Sequence, residues 1–151
     1  MKSILSGSAK GLLTGSALVM TQLAAAQSYS PDGYWINDKG NSKIQVFKTI
    51  TGTYAGKLVW LKEPNRDGKP KLDIHNPNDA FKSRPVMGLV ILSGLRHEEK
   101  NEYGDGKAYD PSSGKTYDCK LTVNTPEQMT LRGFVGFSLI GKSVVWKRTQ
   151  L

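Results

Sequence analysis

The side chains in this chain with the chemistry to make a site are two histidines, one cysteine, a few close pairs of carboxylates and six tyrosines. His75 and His97 are too far apart for a His-x-x-x-His pair, and no Cys-x-x-Cys occurs, so the usual transition-metal spacings are missing. Asp73-x-His75 with Asp79 could offer oxygen and imidazole ligands. The same residues in a loop serve equally as turn and cap formers, and no metal site is expected. Cys119 would need a nearby base to become a nucleophile, and no histidine lies near it in sequence. Asp105 and Asp110, or Glu98 and Glu99, are the carboxylates that acid/base catalysis would draw on. The aspartates sit where turns bond their own backbone, and the glutamates read as solvated. Gly104-Asp-Gly106 lacks the third glycine of a dinucleotide fingerprint, and the serine within Gly136–Gly141 does not have the spacing of a nucleophile elbow. Tyr103, Tyr109 and Tyr117 suit either a core or a pocket wall. The chain reads as a non-enzyme without cofactor or metal.

The elements that would position these residues are strands. Asp110-Pro-Ser-Ser-Gly114 is a turn signal: proline presets φ, the aspartate bonds its own backbone, and the glycine accepts a left-handed conformation. After it, Tyr117, Cys119, Leu121 and Val123 alternate with Thr116, Asp118, Lys120 and Thr122. This period of two marks a hairpin strand with its apolar face inward and Cys119 buried and inert. Further strands are expected at Gly33–Ile36, Lys43–Thr49, Thr53–Leu61, Gln128–Val135 and Lys142–Thr149, with Gly56 marking a bulge or a close approach. Val86–Leu95 reads as a central strand covered on both faces. Pro64, Asp67-Gly68, Pro70, Asn76-Pro77 and Pro85 leave Lys62–Pro85 as a long loop without regular elements, apart from one helical turn at Asn78–Lys82. About eight antiparallel strands favour closure into an up-and-down barrel, which removes sheet edges; a sandwich is the competing arrangement.

The first 26 residues stand apart. Lys2 and Lys10 precede an apolar, small-residue run that ends in Ala24-Ala-Ala26, the pattern of a secretory signal cut near Gln27. Residues 27–151 then form a single barrel domain, periplasmic or secreted, with no stable membrane anchor. The net charge of +8 falls to +6 once Lys2 and Lys10 are removed. The remaining lysines are scattered, and with export this argues against nucleic acid as a partner.

Gly33-Tyr-Trp35, Asn76-Pro77, Arg84-Pro-Val-Met-Gly-Leu89, Lys107–Tyr117, Leu131-Arg-Gly-Phe134 and Trp146-Lys-Arg148 together resemble, in order, the bacterial domain of unknown function 2147 family. The resemblance implies an exported barrel similar to the lipocalin or calycin fold, and by analogy a small apolar or amphipathic ligand. In such barrels a Gly-x-Trp on the first strand meets an arginine on the last. By that resemblance Gly33, Trp35 and Arg148 would close the barrel, with the guanidinium over the indole.

Two functions remain open. As a non-enzymatic container, the barrel would turn Ile44, Val46, Leu58, Met87, Leu89, Ile91, Leu121 and Leu131 inward. Arg84, Lys107, Tyr109 and Tyr117 would then be the ligand-binding candidates. As a cell-envelope interaction module, it would bind a protein or an anionic glycan through the 62–85 loop and its basic surface.

Overall fold

The computed structural model describes residues 7, 11, 27–136 and 141–151. Apart from Gly7 and Gly11, the expected leader lies outside the described residues, as do Phe137, Ser138 and Ile140. Eight strands form the barrel: β1 (Gly33–Ile36), β2 (Ser42–Lys48), β3 (Tyr54–Leu61), β6 (Val90–Glu99), β7 (Glu102–Asp110), β8 (Lys115–Thr125), β9 (Gln128–Phe134) and β10 (Gly141–Thr149). Between β3 and β6 lie two short strands, β4 (Asn65–Arg66) and β5 (Lys69–Pro70). Every barrel strand pairs antiparallel with its chain neighbours, and β1 pairs with β10 to close an up-and-down barrel. No helix among the described residues is long and apolar enough to cross a membrane.

Local chemistry explains the central hairpin of β7 and β8. The Ser112 amide donates to Asp110 Oδ1 at 2.9 Å, and the Gly114 amide donates to the Asp110 carbonyl at 2.8 Å. Gly114 sits at φ 70°, and a Cβ there would lie 1.8 Å from the carbonyl oxygen of His75. The turn therefore needs glycine twice, for its conformation and because the long loop rests directly on it. Along β8, Cys119, Leu121 and Val123 are buried with Lys120 exposed between them, the expected alternation.

The core fills one end of the barrel. Trp35, Val46, Leu95, Leu121, Val123 and Met129 are almost fully buried there, joined by Tyr54 and Tyr103 in edge-to-face contact at 5.1 Å. The strand register places Trp35 opposite Arg148 across the β1/β10 seam. The Arg148 guanidinium carbon stands 4.2 Å from the indole centroid. The same guanidinium donates to the carbonyls of Asp32 (2.6 Å) and Ser30 (3.1 Å) and to that of Pro126. Gly33, at φ 125°, makes room for it: a Cβ there would stand 2.6 Å from Arg148 Nη1. The indole N–H of Trp35 donates to the Pro31 carbonyl at 2.8 Å, so the polar edge of the plug is satisfied.

Three expectations are corrected. The sixth strand begins at Val90, not Val86, and is covered on one face only: Val90 is 52% exposed and Met87, expected inward, is 38% exposed. The apolar run misled because its alternation slips. Leu92 and Leu95 both face the core although they are three residues apart, with Gly94 at φ 70° between them. The strand then runs on through the charged residues Arg96–Glu99. The loop, read as free of regular elements, holds the β4/β5 hairpin. Asp67 and Gly68 sit there at φ 50° and 73°, the conformation that an Asp-Gly pair favours in two-residue hairpins. The expected helical turn is a 3-10 turn at Asp79–Phe81, capped by the Asn78 side chain, which accepts from the Ala80 amide at 3.0 Å. Gly56 lies at a register shift, and a Cβ there would meet Ile44 and Leu92 at 3.2 Å.

Candidate functional site

The other end of the barrel is hollow. A cavity of about 610 Å³ opens there, and its inner wall is built from Ile44 on β2, Leu58 on β3, Leu92 on β6, Leu131 on β9 and Trp146 on β10. Each of these points inward by the period of two of its own strand, and each is at least nine-tenths buried. Ala108, Tyr117 and Val144 line the wall nearer the mouth. The rim carries charge: Lys39, Lys62, Lys71 and Lys142 on one side of the balance, Asp38, Glu63 and Asp110 on the other. Two of the acids are already engaged. Glu63 faces Lys71 at 3.6 Å. Asp110 accepts from Ser112 and Ser113 in its own turn. Burial acts to raise the Asp110 carboxyl, but those hydroxyl and amide donors outweigh it and hold it below the usual carboxylate range.

The long loop, residues 62–89, lies against this mouth and contributes Lys71 and Val86 to its wall. One side chain fastens it. Asp73 is completely buried and accepts from the Tyr109 hydroxyl at 2.6 Å and from the Asn76 amide at 2.8 Å, with the Arg84 guanidinium at 3.6 Å. Tyr109 belongs to β7, so this carboxylate ties the loop to the barrel. Burial, and then the bond to Asp73, push the Tyr109 hydroxyl up to about 12. Asp73 was legible in the sequence only as one of a run of polar loop residues. Nothing local distinguishes it from His75 and Asp79, both of which are exposed.

The four ligand-binding candidates part company. Tyr109 and Tyr117 line the cavity. Arg84 stacks on Phe81 at 4.1 Å and borders a separate groove with Met87 and Tyr109. Lys107 does not line the cavity: it is paired with Asp118 on the outer surface, and that bond holds its ammonium above its usual range. The alternation that turns Cys119 inward turns its neighbour Asp118 outward, and the register sets Lys107 opposite Asp118. Among the described residues no three His, Cys, Asp or Glu side chains gather where a metal could sit. Cys119 is buried, and its thiol is pushed up to about 12 by burial first and by Asp118 second. An apolar box with a wet, charged rim can take up a molecule with an apolar body and a polar end.

Comparison with known proteins agrees with this geometry. No curated protein sequence matches the chain. A solved structure from Helicobacter pylori, described as "Protein HP1028 from the human pathogen Helicobacter pylori belongs to the lipocalin family", is similar at 26% identity and a TM-score of 0.71. The match covers 82% of this chain and 85% of that one. The sequence profile of a bacterial family matches from Gly33 at the seam to Arg148 opposite it, and the chain belongs to that family, described as "Uncharacterized protein conserved in bacteria (DUF2147)".

Proposed function

We propose that this protein is an exported, non-enzymatic container that binds one small apolar or amphipathic molecule inside its barrel, in the periplasm or outside the cell. The observation that carries this is the cavity of about 610 Å³ walled by Ile44, Leu58, Leu92, Leu131 and Trp146. A cavity of that size falls within the range of about 300–1,000 Å³ common to small-molecule sites. The lipocalin-like barrel supports the same reading. Tyr109 and Tyr117 would meet the ligand near the mouth.

The test is displacement of a fluorescent fatty acid from the purified protein, with mass spectrometry of whatever co-purifies. Wild type is expected to bind, and Ala108→Trp, which projects an indole into the cavity, is expected to fold but to lose binding. If wild type takes up neither the probe nor any cellular lipid, the container reading fails. Fractionation with N-terminal sequencing tests export: a mature chain starting near Gln27 is expected outside the cytoplasm.

The envelope-module reading draws on exposed apolar side chains of the loop, Ile74 at 46% and Phe81 at 42%. Its test is pull-down from envelope extracts with wild type against Ile74→Ser/Phe81→Ser. A partner that both proteins retain equally would remove this reading.

A further inference from the structure

A second space adjoins the barrel mouth. It is a groove of about 650 Å³ between the β4/β5 hairpin and the β7/β8 turn. Lys71, Val86, Pro111 and Ser112 border both the groove and the barrel cavity, so the two spaces abut. The walls differ in character. The barrel cavity has an apolar interior. The groove is basic on one side, with Arg66 and Lys69 against a single lining acid, Asp67, and with Lys71, whose ammonium also faces Glu63 at 3.6 Å; its remaining wall includes Leu72 and His75. Among the described residues neither Arg66 nor Lys69 has a carboxylate within ion-pair distance, and both are exposed. The β4/β5 hairpin thus holds two unneutralised cations next to the opening of an apolar box. Its tight Asp67-Gly68 turn keeps Arg66 and Lys69 directly opposite one another.

We propose that the groove is a head-group subsite for an anionic amphiphile, of the class with one acyl chain and a phosphate-bearing head. The chain would lie in the barrel and the phosphate against Arg66, Lys69 and Lys71. This rests on the container reading and adds to it a preference for negative charge and a head too large for the barrel itself. Arginine recognises phosphate oxygens through paired N–H donors, and lysine adds a point charge. A zwitterionic head would bring its own cation into the same basic groove and lose most of the gain.

The experiment compares three ligands on the full chain: lysophosphatidylglycerol, lysophosphatidylcholine and a neutral long-chain alcohol, each displacing the same fluorescent probe. Wild type is expected to prefer the anionic lipid over the zwitterionic one by about five- to tenfold at low salt, from exposed ion pairs of modest individual strength, and to lose that preference in high salt. Arg66→Ala/Lys69→Ala is expected to bring the two lipids to equal affinity while leaving the neutral alcohol unchanged. Retention of the preference in the double variant overturns the subsite. Equal affinity of the two lipids in wild type does so as well. If wild type binds neither the probe nor any of the three ligands, the container reading itself falls, an outcome distinct from loss of charge preference alone.

Discussion

Arg148→Ala should be the most informative single truncation in the barrel. The guanidinium covers Trp35 at 4.2 Å and donates to three backbone carbonyls from two separate segments, Ser30 and Asp32 before β1 and Pro126 in the β8/β9 turn. It therefore pins the lead-in to the first strand and a distant turn onto the last strand. A cation–π contact of this kind contributes about 1 kcal/mol, and charge-assisted bonds at a half-exposed site fall well below their buried values. Together they give a loss of about 2–3 kcal/mol, equivalent to roughly 8–15 °C in Tm for a domain of this size. The assay is thermal unfolding followed by near-ultraviolet circular dichroism, which also reports the Trp35 environment. Arg148→Lys keeps the charge but loses the planar fork that reaches several carbonyls at once, so it should recover less than half of the loss. A melt of Arg148→Ala within about 2 °C of wild type would refute the reasoning, because even the weakest values of these contacts predict more.

Further outcomes follow from the same geometry. Gly33→Ala should cost about 1–3 kcal/mol from its φ of 125° and the crowding of Arg148, and should be less than additive with Arg148→Ala in chemical denaturation, since the smaller side chain removes the clash. Asp73→Ala leaves the Tyr109 hydroxyl and the Asn76 amide without their acceptor and should destabilise by about 1–3 kcal/mol, with faster hydrogen exchange concentrated in residues 62–89; Asp73→Asn should do less. Tyr103, Tyr109 and Cys119 are all held up to about 12 in the folded protein, so the folded state keeps protons that the unfolded chain releases at lower pH. Their contribution is intact below about pH 9 and fades toward pH 12; denaturant midpoints should fall across that window, least steeply for Tyr109→Phe/Cys119→Ala. Cys119 should resist thiol reagents in the native state and react at the rate of unfolding.

Much of the barrel is written locally. Asp110–Gly114 makes its turn from its own side chains, and Cys119, Leu121 and Val123 turn inward because a strand alternates. Where alternation slips, the reading slips with it. Bulges at Gly94 and Asp105 shift β6 and β7 in ways that no count of apolar residues shows, and a turn at Val86–Leu89, with Gly88 at φ 88°, delays the start of β6 and leaves Met87 outside it. Lys107 illustrates a signal present but unused: the register that buries Cys119 also sends Lys107 outward to Asp118.

The amino-acid sequence by itself determined most of the barrel strands, the Asp110–Gly114 turn and the burial of Cys119, because each follows from residue type and short-range spacing; the meeting of Trp35 with Arg148 was implied by the family resemblance alone. Only the tertiary structure decided that one end of the barrel is filled and the other hollow, that Asp73 straps the long loop to Tyr109, and that a basic groove abuts the mouth. Those facts depend on which side chains from distant strands share one volume, and volume is a property of the closed barrel rather than of any segment of it.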